Sequence, residues 1–89
     1  MQAYTVDGVW DDGGGLEVEF VGVDLSEATI EGVVRGNRDN NAFTSTVEAE
    51  SETEAFRALC EELGADSVWD CRKGKPRRVY TPPEDEDDA

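Results

Sequence analysis

The chain has 89 residues, of which 37% are hydrophobic and 34% charged, a composition that fits one small domain with a modest core. Acidic residues number 22 against 8 basic ones, so the formal net charge is −14. No apolar run approaches the roughly 18 residues of a membrane-spanning helix, and the sequence therefore predicts no membrane partner.

The acidic residues are spread over nearly the whole chain, and the apolar residues between them follow a regular pattern. This pattern excludes disorder for the body of the protein, because a disordered chain lacks periodic apolar positions. Only two lysines accompany six arginines. A surface rich in carboxylates stays hydrated when salt screens other interactions. The composition thus predicts a halophilic protein, and the lack of a signal peptide pattern predicts a cytoplasmic one.

Alternating residues predict two strands at the start of the chain, over residues 2–10 and 16–23. Three glycines lie in the connection, residues 11–15. Because a strand pattern follows them, we expect a hairpin loop and not a phosphate-binding loop, which needs a helix at that point. The alternation of apolar residues changes after Phe20, since Leu16, Val18 and Phe20 occupy even positions and Val21 and Val23 odd ones. Either a β-bulge near Val21 and Gly22 or a strand end buried on both faces would account for this change.

Residues 28–35 are interpreted as a third strand, with Ala28, Ile30 and Val34 on one face and Val33 on the other. A loop rich in Asn and Gly follows, and residues 42–49 form the predicted fourth strand. Because each connection is short, we expect these four strands to form an antiparallel β-meander.

The segment from Ser51 to Gly64 predicts an amphipathic helix. Ser51 stands three residues before Glu54, which is the spacing of a capping box. Gly64 is suited to end the helix, because glycine adopts a positive φ without a steric clash. A single apolar stripe runs between them. It consists of Phe56, Leu59, Cys60 and Leu63.

Two short strands, residues 66–71 and 77–81, are predicted to form a C-terminal hairpin. The expected fold is α+β with the order β-β-β-β-α-β-β, in a single domain over residues 1–81. Residues 82–89 are expected to form a disordered acidic tail. If the helix covers one face of the sheet, Val21, Val23 and Val33 need cover on the other. We expect either the C-terminal hairpin or a second chain there, which makes a homodimer through the sheet face or an edge strand an open alternative.

The residue types argue against most catalytic chemistry. The chain has no histidine, so it lacks the commonest general base, and its two cysteines do not form a CxxC motif. Cys60 is expected to be a buried apolar residue, although a bridge to Cys71 stays open. Carboxylates such as Asp11 and Asp12 could bind Ca²⁺ or Mg²⁺ weakly, but no spacing matches an EF-hand. We therefore expect no enzyme, no cofactor and no metal site, and interpret the chain as a non-catalytic interaction module.

One basic segment stands out from the acidic background. Five of the eight basic residues fall within residues 72–78. Cations interleaved with aromatic rings are what a nucleic-acid surface needs, since charge contacts phosphate and rings stack on bases. The alternative function is therefore RNA or DNA association, unless the hairpin charges pair with the body of the protein or with the acidic tail. The candidate residues are Trp69, Arg72, Lys73, Lys75, Arg77, Arg78 and Tyr80.

The stretch from Phe43 to Phe56, with Leu63 and Gly64 closing the helix, resembles the strand–helix unit of the small archaeal ribosomal proteins of the LX family. The shared pattern is a strand ending in Val-Glu-Ala-Glu, a capped acidic helix start and a final Leu-Gly, and it covers about a quarter of the chain. The segments before and after this unit depart from that family, and the resemblance implies no binding residue here. As a whole, the chain resembles the small acidic proteins of unknown function of haloarchaea.

Overall fold

A computed structural model describes residues 1–36 and 39–82. These residues form the predicted α+β class of fold. The expected acidic tail lies, Pro82 aside, outside the described residues. No helix in the described ranges is long and apolar enough to cross a membrane. The elements in chain order are β1 Gln2–Trp10, β2 Leu16–Val23, α1 Glu27–Gly36, β3 Ala42–Ala49, α2 Glu52–Leu63, β4 Val68–Asp70 and β5 Arg77–Tyr80.

The five strands form one mixed sheet in the order β3-β1-β2-β4-β5. β1 is central to an antiparallel trio with β2 and β3, whereas β4 runs parallel to β2 and β5 antiparallel to β4. The predicted four-stranded meander is therefore wrong. The C-terminal hairpin extends the sheet at the edge of β2 and does not wrap over its second face.

The predicted third strand is instead the helix α1. Ser26 caps it, because the Ser26 hydroxyl accepts a hydrogen bond from the Thr29 N–H at 3.2 Å and the Ser26 carbonyl accepts from the Ile30 N–H at 3.0 Å. Ile30 and Val33 are half-buried, and Val34 is 48% exposed. Since Val33 lies on a helix, the expected Val21/Val23/Val33 face of the sheet does not exist.

A β-bulge shifts the phase of β2. Asp7 pairs with Phe20 and Gly8 pairs with Val18, so Glu19 is the extra residue. The bulge therefore lies at Glu19 rather than at Val21 and Gly22. Beyond it, Val21 packs against the core. The first core cluster comprises Val6, Leu16, Val18, Phe43, Phe56, Leu59, Cys60, Ala65 and Val68.

The second face of the sheet is also partly covered. Thr5 is 1% exposed and Asp7 6% exposed, although both point away from the α2 face. Leu25, just before α1, packs over Gly22, which is paired with Thr5. Part of the cover that we expected from the hairpin or a second chain thus comes from the segment between β2 and α1.

The helix predicted between Ser51 and Gly64 is confirmed. The Glu54 N–H donates to the Ser51 hydroxyl at 3.2 Å, and Gly64 ends the helix with φ of 69°. The Glu54 carboxylate accepts from the Glu50 N–H at 3.4 Å, whereas a capping box pairs this carboxylate with the N–H of the cap residue, Ser51. Phe56, Leu59 and Cys60 of the predicted stripe are buried, while Leu63 is partly buried against the core. This helix lies across β3 and reaches the C-terminal hairpin.

Candidate nucleic-acid interface

The basic segment forms the tip and outer strand of the C-terminal hairpin. Trp69 lies opposite Arg78, and Asp70 lies opposite Arg77. Directly opposite residues share a face of the sheet. Trp69 and Arg78 therefore lie on one face, and Asp70 and Arg77 lie on the other, which is the face that α2 covers.

Arg72 folds back onto the body of the protein. Its guanidinium donates to Asp70 through Nε and Nη2, each at 2.9 Å. It also donates to both carboxylate oxygens of Glu52, from Nη1 at 3.1 Å and from Nη2 at 2.9 Å. The Cζ atom lies 5.9 Å from the centroid of the Phe56 ring. Arg72 thus ties the hairpin to the first turn of α2 and has few donors left for a ligand.

The same contacts perturb the ionisation of this pair. Hydrogen bonds from the Arg72 side chain lower the pKa of Asp70 from 3.8 to about 2. Hydrogen bonds to Asp70, and then to Glu52, raise the pKa of Arg72. Both groups are therefore charged at neutral pH, and the tie between the hairpin and α2 is ionic.

Four other cations of the hairpin are exposed: Lys73, Lys75, Arg77 and Arg78. The ion pairs among the described residues involve only Arg35, Arg57 and Arg72 as cations. This is unusual in a chain with 22 carboxylates, because a nearby acid is the default partner of a surface cation. Arg77 faces Asp70 and helps to lower the pKa of that carboxyl without forming an ion pair, whereas Lys73, Lys75 and Arg78 have no ion-pair partner among the described residues.

Three of these cations surround an open groove of about 360 Å³ beside the hairpin turn. Lys73, Lys75 and Arg77 line it together with Asp70 and Pro76. A second open groove, of about 440 Å³, also includes Arg78 and lies between the hairpin and the first residues of α2. The exposed cations of both grooves are accessible from solvent, and the carboxylates of Asp70, in both grooves, and Glu52, in the second, lie among them.

The predicted aromatic residues are less available than the cations. Arg78 Cζ lies 5.7 Å from the centroid of the Trp69 ring, so Arg78 occupies one face of the indole. The Trp69 Nε1–H donates to the Ser67 hydroxyl at 2.9 Å. Tyr80 packs against the core beside α2. The seven predicted residues therefore fall into three sets. Lys73, Lys75 and Arg77 line the first groove, and Trp69 and Arg78 contact each other. Arg72 and Tyr80 contact the body of the protein.

Sequence reasoning missed Asp70 and Glu52. An acid two residues before Arg72 was a signal for a local ion pair. The contact with Glu52 had no such signal, since it spans 20 positions and depends on where α2 begins.

The cysteines and the first loop show structural contacts. Both cysteines are free thiols, and the buried Cys60 donates from Sγ to the Ala65 carbonyl at 3.1 Å. Burial raises the pKa of both Cys60 and Cys71. Asp11 Oδ1 accepts hydrogen bonds from the N–H groups of Gly13 and Gly15, which builds the predicted hairpin loop. Across residues 1–36 and 39–82, no group of three or more His, Cys, Asp or Glu side chains is placed to hold a metal ion.

Comparison of the chain with protein-family models, curated proteins and solved structures finds no match. Its function is therefore argued from its own geometry.

Proposed function

We propose that this chain is a non-catalytic binding module and that its basic hairpin contacts a nucleic acid. The observation that supports the proposal is the set of exposed cations at the hairpin, of which Lys73, Lys75 and Arg78 form no ion pair with a described carboxylate and Arg77 only faces Asp70, in a strongly acidic protein. Phosphate groups supply the charge that these side chains lack. The acidic composition also supports work at high salt in the cytoplasm.

The ion pairs of Arg72 hold the basic hairpin in a fixed position against α2. Arg72 joins the hairpin to α2 through two carboxylates, at 2.9 Å on each side. Lys73 follows Arg72 directly and Lys75 comes two residues later in the same turn, which is closed by a hydrogen bond from the Gly74 N–H to the Cys71 carbonyl at 3.2 Å, while both lysine side chains are exposed. A surface whose backbone is already ordered loses less conformational entropy when it binds.

The salt concentration determines which interactions between this surface and a nucleic acid remain. At about 1 M salt the screening length is only about 3 Å, so attraction over a distance is lost and direct contacts remain. Arg77 and Arg78 suit direct contact, because a guanidinium binds a phosphate through two parallel hydrogen bonds. We therefore expect the arginines to account for most of the binding that survives at high salt.

The test is fluorescence anisotropy with labelled single-stranded RNA, single-stranded DNA and duplex DNA over a series of KCl concentrations. The test variant is Arg77→Glu with Arg78→Glu. The matched control is Arg35→Glu with Arg57→Glu, which makes the same change in net charge on α1 and α2. We expect the hairpin variant to lose at least about tenfold in affinity and the control at most about threefold.

Equal losses in the two variants would mean that net charge alone governs binding, and would overturn the hairpin assignment. Absence of binding by the wild-type protein to all three nucleic acids would overturn the proposal itself. Binding of polyglutamate but of no nucleic acid would instead assign the surface to an acidic protein. Truncation after Thr81 tests whether the tail masks the hairpin, and an unchanged affinity would reject masking.

A further inference from the structure

The two outer strands of the sheet differ in how they are protected. β5 is only four residues long, begins directly after Pro76 and starts with two exposed arginines. Proline, charge and short length are the features that prevent a sheet edge from pairing with another chain. β3 at the opposite edge lacks the proline and the short length, and its one charged residue, Glu48, lies near the end of the strand. It is eight residues long, contains no proline, lysine or arginine, and pairs with β1 without a register shift.

The hydrogen-bonding phase of β3 follows from two contacts. The Trp10 N–H donates to the Asn41 carbonyl at 2.8 Å, so every second residue from Asn41 onward directs its backbone groups toward β1. On the other side of β1, the Asp24 N–H donates to the Ala3 carbonyl at 2.8 Å, which gives the same phase. The residues whose N–H and C=O groups point away from the sheet are Thr44, Thr46 and Glu48.

No described backbone group bonds to these outward groups. The Thr44 and Thr46 side chains are held from within, since Thr44 donates to Asp7 at 2.6 Å and the Thr46 hydroxyl lies 2.9 Å from that of Thr5. The edge is therefore an ordered strand with open backbone hydrogen-bonding capacity. Its complement is another β-strand.

We propose that β3 pairs with β3 of a second copy of this chain, antiparallel around a two-fold axis at Ser45. In this register Phe43 lies opposite Val47 of the second copy, and Thr44 lies opposite Thr46 of the second copy. Apolar residues thus meet beside α2, and threonines meet on the other face, which are favourable cross-strand pairs. The register also makes Thr44 and Thr46 exchange backbone hydrogen bonds. The strand is self-complementary, which favours a second copy over an unrelated strand.

Electrostatics make this dimer dependent on salt. The Ser45 hydroxyl donates to Glu62 Oε2 at 3.4 Å, which places this carboxylate over the centre of β3. A two-fold axis at Ser45 brings Glu62 near its symmetry mate. Glu48 lies at the end of the strand, opposite Ala42 of the second copy, so the two Glu48 side chains stay apart. Repulsion between the Glu62 pair, added to a net charge of −14 per chain, opposes dimerisation at low salt and is screened at high salt.

The test measures molar mass by light scattering and sedimentation, up to about 1 mM protein, in about 0.1 M and about 3 M KCl. Amide hydrogen exchange at Thr44, Thr46 and Glu48 provides a second readout. We expect a dimer at high salt and slowed exchange at these three amides as protein concentration rises. A wild-type protein that stays monomeric at both salt concentrations would overturn the proposal.

Two variants locate the interface. Thr46→Pro removes an outward N–H without removing a bond to β1, and is expected to give a monomer at high salt. Glu62→Gln should lower the dimer dissociation constant at low salt by about three- to fivefold. Glu19→Gln makes the same change in charge on β2, away from this edge, and should have little effect.

A dimer that persists in Thr46→Pro would assign the contact to another surface. If Thr46→Pro fails to fold, as judged by circular dichroism, the interface is tested by comparing the dimer dissociation constants of Glu62→Gln and Glu19→Gln at low salt. Equal effects of these two substitutions would reject a two-fold axis at Ser45.

Discussion

Replacement of Arg72 by methionine should destabilise the protein through Asp70. The guanidinium lowers the pKa of Asp70 from 3.8 to about 2, and Asp70 is only 14% exposed. A shift of this size corresponds to about 2 kcal/mol of stability at neutral pH, at about 1.4 kcal/mol per unit. Glu52 is 44% exposed, so solvent screening limits its pair with Arg72 to less than about 1 kcal/mol. We expect Arg72→Met to lower the free energy of unfolding by about 2–3 kcal/mol at pH 7.

The pH dependence of this loss has a definite sign. Because the pKa of Asp70 is lower in the folded protein, its contribution is complete well above the ordinary value of 3.8 and is lost as the pH falls through about 2. Proton linkage with these two values leaves about half of the contribution at about pH 3. The difference between Arg72→Met and wild type should therefore shrink to about 1–2 kcal/mol at about pH 3.

The assay is urea unfolding at constant salt, followed by the fluorescence of Trp10 and Trp69, at about pH 7, 4 and 3. Arg57→Met is the matched control, because Arg57 pairs with Glu61 at 3.4 Å on the exposed side of α2. Its removal should cost about 0.3–0.5 kcal/mol. An Arg72→Met loss that is the same at pH 7 and pH 3, or no larger than the control, would refute the reasoning.

Three further substitutions test the fold by the same unfolding assay. Gly8→Ala should lower the free energy of unfolding by about 3 kcal/mol or more, because a Cβ there would overlap the Glu17 carbonyl oxygen. In the control Gly13→Ala the added Cβ would lie no closer than 3.5 Å to another group, so stability should change by less than about 0.5 kcal/mol. Ser51→Ala should cost about 1 kcal/mol through loss of the helix cap, and a neutral result would contradict the capping role. Leu59→Ala, at a side chain that is 0% exposed, should cost about 2–5 kcal/mol, and a smaller loss would place Leu59 outside the core.

Local signals account for the parts of the fold that could be predicted from the sequence. The helix cap, the apolar stripe and the terminal glycine of α2 all lie within one short segment. The first hairpin loop likewise depends on Asp11 and the glycines beside it. In each case the residues that determine the structure are neighbours in the chain.

The segment of α1 was ambiguous for a physical reason. Ile30, Val33 and Val34 fit the i, i+3, i+4 spacing of a helix, but the β-branched residues and Gly32 favour a strand. Ser26 as the N-cap, with the acidic Glu27 in the first turn and the basic Arg35 in the last, is the signal that favours a helix. The parallel pairing of β2 with β4 had no local signal, because it joins Leu16 to Val68 across most of the chain.

The candidate site was predictable in part. The cluster of cations could be read from composition alone, and the structure places three of them around one groove. The sequence does not predict which of these cations are free to contact a ligand, because Arg72 is bound by Glu52, a carboxylate on another element. The availability of a charged side chain is set by the packing of distant elements, and sequence spacing does not report it.

The two proposed surfaces lie on opposite edges of the sheet, and this arrangement has a consequence for binding. A dimer through β3 leaves both hairpins at the outer ends of two joined five-stranded sheets, roughly 40 Å apart at about 4.8 Å per strand. Salt weakens each hairpin contact but favours the dimer, so a strand of about 30 nucleotides that reaches both hairpins should lose less affinity with salt than one of about 8. Thr46→Pro should abolish this advantage of length and leave binding of the short strand unchanged. Equal salt slopes for the two lengths in anisotropy titrations of the wild-type protein would show that the two surfaces do not act together.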